Sequence, residues 1–89
     1  MRPFVRFFTK PKCSICDEVR ILLSRLRKET PLDIEEVNIL DDPNLFERYK
    51  YEIPVLLFPD GSDLQGRIDD KKLRKKIKYF LKWENPKKT

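Results

Sequence analysis

The chain has no histidine, two glycines, two cysteines and one glutamine in 89 residues. Each shortage excludes something. Without histidine there is no serine–histidine nucleophile. A closed zinc site needs four ligands, mostly Cys and His, and two cysteines cannot supply them. There is no Gly-rich phosphate loop. Cysteines this close together shut almost no loop, so no disulfide framework supplements the core. The longest apolar runs, such as "PVLLF" (Pro54 to Phe58), are far too short to cross a bilayer. The first residues, "MRPFVRFF", put an arginine inside a short apolar stretch, unlike a secretory signal, and no Arg/Ser-rich transit peptide precedes them. The expectation is an intracellular, cytoplasmic protein without a membrane partner.

What is present fits one small domain, residues 1–83, with a frayed tail over 84–89. Charged residues make up 39% of the chain, and they are unevenly placed. Residues 1–70 carry 11 Lys/Arg against 14 Asp/Glu, whereas residues 71–89 carry 9 against 1. The net charge of +5 is therefore a basic C-terminus on a slightly acidic body. Such a helix, "KKLRKKIKYFLKW", could meet nucleic acid or an acidic partner. A solvated basic face over an apolar stripe explains it as well and is the reading preferred here. Trp83 and Tyr79 then read as docking aromatics, and nucleic acid is not expected.

Local patterns give the element order β-α-β-α-β-β-α. "FVRFF" (Phe4 to Phe8) reads as a strand. Ile15, Cys16, Val19, Leu22, Leu23 and Leu26 recur at helical spacing between Ser14 and Glu29, with acids in the first turn and bases in the last. Thr30-Pro31 stops that helix. "DIEEVNI" (Asp33 to Ile39) reads as a strand. Asp42 as N-cap and Pro43 at the first helical position open a short helix to about Lys50. "IPVLLF" (Ile53 to Phe58) reads as a strand buried on both faces. "PDGS" turns the chain into a short edge strand over Asp63 to Gly66. Asp69 or Asp70 caps a last helix whose apolar stripe is Leu73, Ile77, Phe80 and Leu81. The βαβ unit is right-handed and parallel, and the last two strands form a hairpin. These elements predict an α/β fold: one mixed four-stranded sheet with helices on both faces.

Both cysteines lie in "TKPKCSICDE". Cys13 falls at the turn from the first strand into the first helix and is expected to be exposed. Cys16 lies one turn in, on the buried face with Val19 and Leu23. At a helix N-terminus free N–H groups and the dipole favour a thiolate, and Lys10 and Lys12 add positive potential. Asp17 and Glu18 oppose it. A Cys13 thiolate would attack a disulfide, and Cys16 would then displace the substrate from the mixed disulfide. C-x-x-C beside a βαβ pattern is a redox signal. Two other readings stand beside it. The cysteines could merely fill core, which suits Cys16 better than Cys13. They could hold a metal or an iron–sulfur cluster only between two chains or with an external thiol, since the chain offers two cysteines and no histidine. Pro54 opens a buried strand, where proline is confined to the first residue, an edge or a bulge. A strand-start proline is the plain reading, and a cis Ile53–Pro54 bond beside the cysteines is the sharper one.

A strand, C-x-x-C at a helix start, and a hydrophobic-Pro-hydrophobic strand about 40 residues later resemble the thioredoxin fold. Size and element order are similar to glutaredoxin. "FTKPKCSICDE", "LDIEEVNILDDPNLFERYKYEIPVLL" and "DGSDLQGRIDDKKL" look like the small glutaredoxin-like family of unknown substrate, from about Phe4 to Leu81. The resemblance implies a thiol–disulfide oxidoreductase, with Cys13 as nucleophile, Cys16 as resolving thiol and Pro54 in the cis form. It implies that the Ile53 backbone pairs with a bound thiol peptide, and that Lys10, Lys12, Ser14 and Ile15 border that substrate. The partner would be a disulfide-containing protein or a glutathione mixed disulfide, met by a monomer with no bound cofactor and with glutathione as a candidate reductant. Two departures stand out. Ser14-Ile15 replaces the usual dipeptide between the cysteines. "LQGRIDD" replaces a Gly-Gly-Asp segment, leaving Gly66 and Asp69 as candidate glutathione contacts, although the simplest role of Asp69 is N-cap. The rival from another class is a non-catalytic adaptor of the same fold, using the basic helix or the groove at Pro54.

Overall fold

The structure is a computed structural model that describes residues 3–84, and the side chains of residues 81–84 are not described. Its order is β1 (Phe4–Thr9), α1 (Ser14–Glu29), β2 (Asp33–Asn38), a single 3-10 turn (Ile39–Asp41), α2 (Pro43–Tyr49), β3 (Val55–Leu57), β4 (Asp63–Gln65) and α3 (Asp70–Glu84). The strands form one sheet in the order β2-β1-β3-β4. β1 is parallel to β2 and antiparallel to β3, and β3 is antiparallel to β4. The mixed four-stranded sheet expected from the sequence is present. The tail over 85–89 lies outside the described residues, and Glu84, placed with that tail, ends α3. Leu81 and Trp83 likewise carry no side-chain description.

The period-two alternation of β1 divides the core. Val5 and Phe7 point to one face and join Leu56 of β3 with the buried stripes of α1 (Cys16, Val19, Leu23, Leu26) and α3 (Leu73, Ile77, Phe80). Phe8 points to the other face and joins Ile39, Tyr49 and Val55 under α2. There the Phe8 and Tyr49 rings stack with centroids 4.5 Å apart.

Two strands are shorter than their apolar patterns suggest. Ile39 leaves β2 and opens the 3-10 turn, fully buried in the second cluster. β3 starts at Val55 because the Ile53 N–H is committed to the Tyr49 carbonyl (3.1 Å) and Pro54 has no N–H to donate. The Ile53–Pro54 peptide bond is cis. At the other end Phe58 donates to the Ser62 carbonyl (2.9 Å), closing the hairpin around Gly61 at φ 89.

One ion-pair cluster joins α1 to α3. Arg74 holds the Glu29 carboxylate through both terminal nitrogens (2.7 and 3.0 Å) and Asp70 through Nε (2.9 Å). These bonds hold the Glu29 carboxyl below its ordinary 4.5. A depressed folded pKa stabilises above the unfolded value and is lost as pH falls through the folded one. Thermal melts from about pH 6 down to about pH 3 should therefore show a midpoint that falls further in wild type than in Arg74→Leu. The gap between them should be small, because the pair is exposed, and should close at the acid end.

Candidate functional site

The site begins where β1 ends. Thr9 is the last strand residue, and the loop Lys10 to Lys12 carries the chain to α1. Lys12 sits at φ 60, the left-handed region that side chains other than glycine seldom adopt. That conformation turns the chain so that the next residue caps α1. Cys13 is the N-cap, with extended backbone (φ −116, ψ 103), and its Sγ accepts the Cys16 N–H at 3.2 Å. Its carbonyl accepts the first helical bond from Asp17 (3.0 Å). A sulfur thus occupies the place where Ser or Asp commonly satisfies a helix's orphan N–H.

Cys13 and Cys16 are joined by a disulfide, with Cα atoms 5.2 Å apart. Cys16 is completely buried in the main cluster. Cys13 is half-buried and not exposed as expected, because it packs against that same cluster. A helix start on a sheet edge would leave it in water; here the chain returning at Ile53 borders the same cluster. Ile53 is also half-buried, Pro54 is buried, Ser14 is exposed and Ile15 is half-buried.

The structure brings the segment after β4 to the same end of the sheet. The Gly66 N–H donates to the Pro54 carbonyl at 2.8 Å, with Gly66 at φ 68. Ile68 turns into the main cluster, which gives the bulky residue after Gly66 a packing role. The Asp69 carboxylate accepts the Lys72 N–H at 2.7 Å and caps α3, so between the two candidate caps it is Asp69.

The surrounding charge was only partly foreseen. Lys10 and Lys12 are exposed and have no ion-pair partner among the described residues. The acids of the first turn are not free to oppose them. Arg20 binds Asp17 at 2.6 Å and grips Glu36 of β2 with Nε and Nη2 (3.0 and 2.7 Å). These two carboxylates push the Arg20 guanidinium pKa upward. Arg67 reaches Glu18 at 3.7 Å. The sequence did offer one hint, the i, i+3 spacing of Asp17 and Arg20. Glu36 and Arg67 are contributed by other elements. Together with Thr9, Lys10, Pro11, Lys12 and Asn38, the Arg20 network lines a cleft of about 280 Å³ beside the loop. The Thr9 hydroxyl is buried and has no hydrogen-bond partner among the described residues. No cluster of three or more His, Cys, Asp or Glu among the described residues could hold a metal ion. No described helix is long and apolar enough to cross a membrane.

Known proteins resemble this chain in sequence and fold. Residues 4–78 match the glutaredoxin-like domain (DUF836). A glutaredoxin-like protein of Dictyostelium discoideum, described as a YDR286C homolog, is 30% identical over 84 residues, covering 88% of this chain and 78% of its own. The X-ray structure of protein XcR50 from X. campestris superposes with a TM-score of 0.74 at 27% identity, covering 84% of this chain and 96% of that one. Thioredoxin 1 of Thermosipho africanus, at 17% identity and a TM-score of 0.73, shares the fold over 92% of this chain and 98% of its own. A disulfide-linked Cys13–Cys16 pair at the start of α1, on this fold and within these relatives, supports a thiol-based redox role. The chain belongs to the glutaredoxin-like domain family.

Proposed function

We propose that the protein is a dithiol–disulfide oxidoreductase. The observation that carries this reading is the unequal setting of two bonded sulfurs: Cys13 caps α1 at the surface of the core, and Cys16 is fully enclosed beneath it. In the reduced protein the Cys13 thiolate, favoured by the free N–H groups of α1, attacks one sulfur of a substrate disulfide. A Cys13–substrate disulfide forms and the other half of the substrate leaves as a thiolate. Cys16, having lost its proton to solvent, then attacks the Cys13 sulfur. The second substrate thiolate leaves, and the Cys13–Cys16 disulfide holds the two electrons' worth of oxidation. A dithiol or two thiols must reduce it again, which makes the protein a step in electron transport.

Further parts of the reading are proposed with it. The Ile53 backbone pairs with the chain flanking the substrate sulfur through its carbonyl, since its N–H is already given to Tyr49. Lys10, Lys12, Ser14 and Ile15 border the substrate on the other side. Glutathione is a candidate reductant, with the Gly66 to Asp69 segment as its contact; the cap already formed by the Asp69 carboxylate argues for a weak one. The setting is the cytoplasm, where a C-x-x-C pair cycles and does not stay oxidised. The protein works as a monomer with no bound cofactor.

Alkylation of the reduced protein over a pH series tests the reading. Cys13 should react faster than a free thiol, with its transition below about pH 8.5. A transition at or above that value, with ordinary alkylation rates, would sink it in favour of the adaptor. Regeneration with glutathione and with thioredoxin reductase in parallel then identifies the reductant. A companion variant reads the charge network. Arg20→Leu leaves Asp17 unpaired one residue from Cys16, and Cys13 alkylation at neutral pH should slow by about two- to threefold. The difference should shrink at high salt.

A further inference from the structure

Away from the cysteines, α3 carries a second stripe that the redox reading does not use. Lys72, Lys75, Lys76 and Tyr79 stand at i, i+3, i+4 and i+7, beside the buried stripe of Leu73, Ile77 and Phe80. With Asp60 of the hairpin and Leu64 of β4 they line a cleft of about 380 Å³. Strand β4 is a sheet edge, paired on one side by β3. The floor is apolar: Leu64 is half-buried, and Tyr79 is 55% exposed. Lys76 lies 5.5 and 5.7 Å from the Phe58 and Phe80 ring centroids, which anchors its ammonium in the cleft. Lys72 and Lys75 have no ion-pair partner among the described residues. The one acid of the lining, Asp60, accepts the Ser62 N–H and hydroxyl at 2.9 and 2.6 Å, bonds that hold the hairpin.

We propose that this groove docks an acidic, extended segment of a partner protein bearing one apolar or aromatic side chain. Charge complementarity carries the argument. The body of the chain is slightly acidic while α3 (Asp70–Glu84) holds seven bases against two acids, so the positive field is concentrated there and both steers and orients an acidic partner. Lysine stems, Leu64 and Tyr79 supply the apolar floor for the single anchor. The stripe from Lys72 to Tyr79 is about 10 Å long, the reach of about three extended residues. That is too short to follow a nucleic-acid backbone. On α3 the groove begins six residues beyond Gly66, whose N–H meets the Pro54 carbonyl. The inference does not depend on the exchange chemistry.

The test is an NMR amide titration of the full chain with a capped peptide of two acidic pairs flanking one phenylalanine. Shifts should centre on Leu64, Lys72, Lys75, Lys76 and Tyr79, and affinity should fall as salt is added. Lys72→Glu/Lys75→Glu should weaken binding by about tenfold. Exchanging the peptide's phenylalanine for glycine should weaken it at least about threefold. Both lysines are exposed, so the variant should keep its other amide positions and its exchange rate with a small neutral disulfide. The proposal is overturned if the double variant binds as well as wild type or if the shifts centre on Lys10 and Lys12. It is overturned equally if a single-stranded oligonucleotide, a phosphatidylserine vesicle or a second copy of the chain occupies these residues more tightly than the peptide.

Discussion

Cys16→Ser is expected to accumulate a covalent complex with its disulfide substrate, and Cys13→Ser is expected to form none. The asymmetry follows from burial. Cys16 is fully enclosed, so an external disulfide cannot reach it, while the half-buried Cys13 presents its sulfur at the cap of α1. In wild type the mixed disulfide should be short-lived, because the proposed resolving sulfur is one helical turn away and would attack within the molecule. Without Cys16 the complex can be released only by an external thiol, and turnover should fall by at least about tenfold at millimolar thiol. Non-reducing electrophoresis and intact-mass measurement read the trapped species directly. If Cys16→Ser traps nothing from a panel of protein and glutathione disulfides, the adaptor reading replaces the enzyme. A visible chromophore on anaerobic purification would instead favour a cluster held between two chains.

The second large effect is on stability. Leu56 is fully buried at the centre of β3, paired with Phe7 on one side and Leu64 on the other. It belongs to the main cluster together with the stripes of α1 and α3. Leu56→Ala removes several methyl and methylene groups from a site walled by two strands and two helices, which cannot collapse into the gap. The cost should be about 3 kcal/mol. A domain of this size holds only about 5–10 kcal/mol in all. Thermal unfolding should therefore drop by about 12–20 °C. A drop of only a degree or two would show that the cluster is not packed as described. Leu40→Ala, on an exposed side chain of the 3-10 turn, serves as the control and should change little.

Local signals were readable where their physics is local. Helix α1 runs over Ser14–Glu29, as its apolar spacing and the Thr30-Pro31 stop indicate, and Thr30 indeed leaves helical geometry (φ −139, ψ 132). Asp42 caps α2 by accepting the Asn44 N–H at 2.8 Å, with Pro43 next. Both features depend on a residue and its near neighbours. β3 is different. Its apolar run extends from Ile53 to Phe58, yet hydrogen bonds to Tyr49 and Ser62 withdraw both ends from the ladder. Hydrophobicity marks which residues are buried; it does not say which N–H finds a strand partner.

The same division holds for the site. By itself the sequence determined that the only two sulfur nucleophiles share one helical turn, that the inner one is on the buried face, and that the positive charge is concentrated after residue 70. These follow from chain spacing and composition alone. The tertiary structure decided that Cys13 is half-buried, since the cluster bordered by Ile53 also receives it. It decided that Arg20, already spaced to meet Asp17, is also held by Glu36, and that Glu18 faces Arg67. It also joined Gly66 to Pro54 across 12 residues of chain. Burial and Coulomb interactions depend on which distant side chains arrive within a few ångströms, and in this chain those arrivals are made by β2, the segment before β3 and the loop before α3.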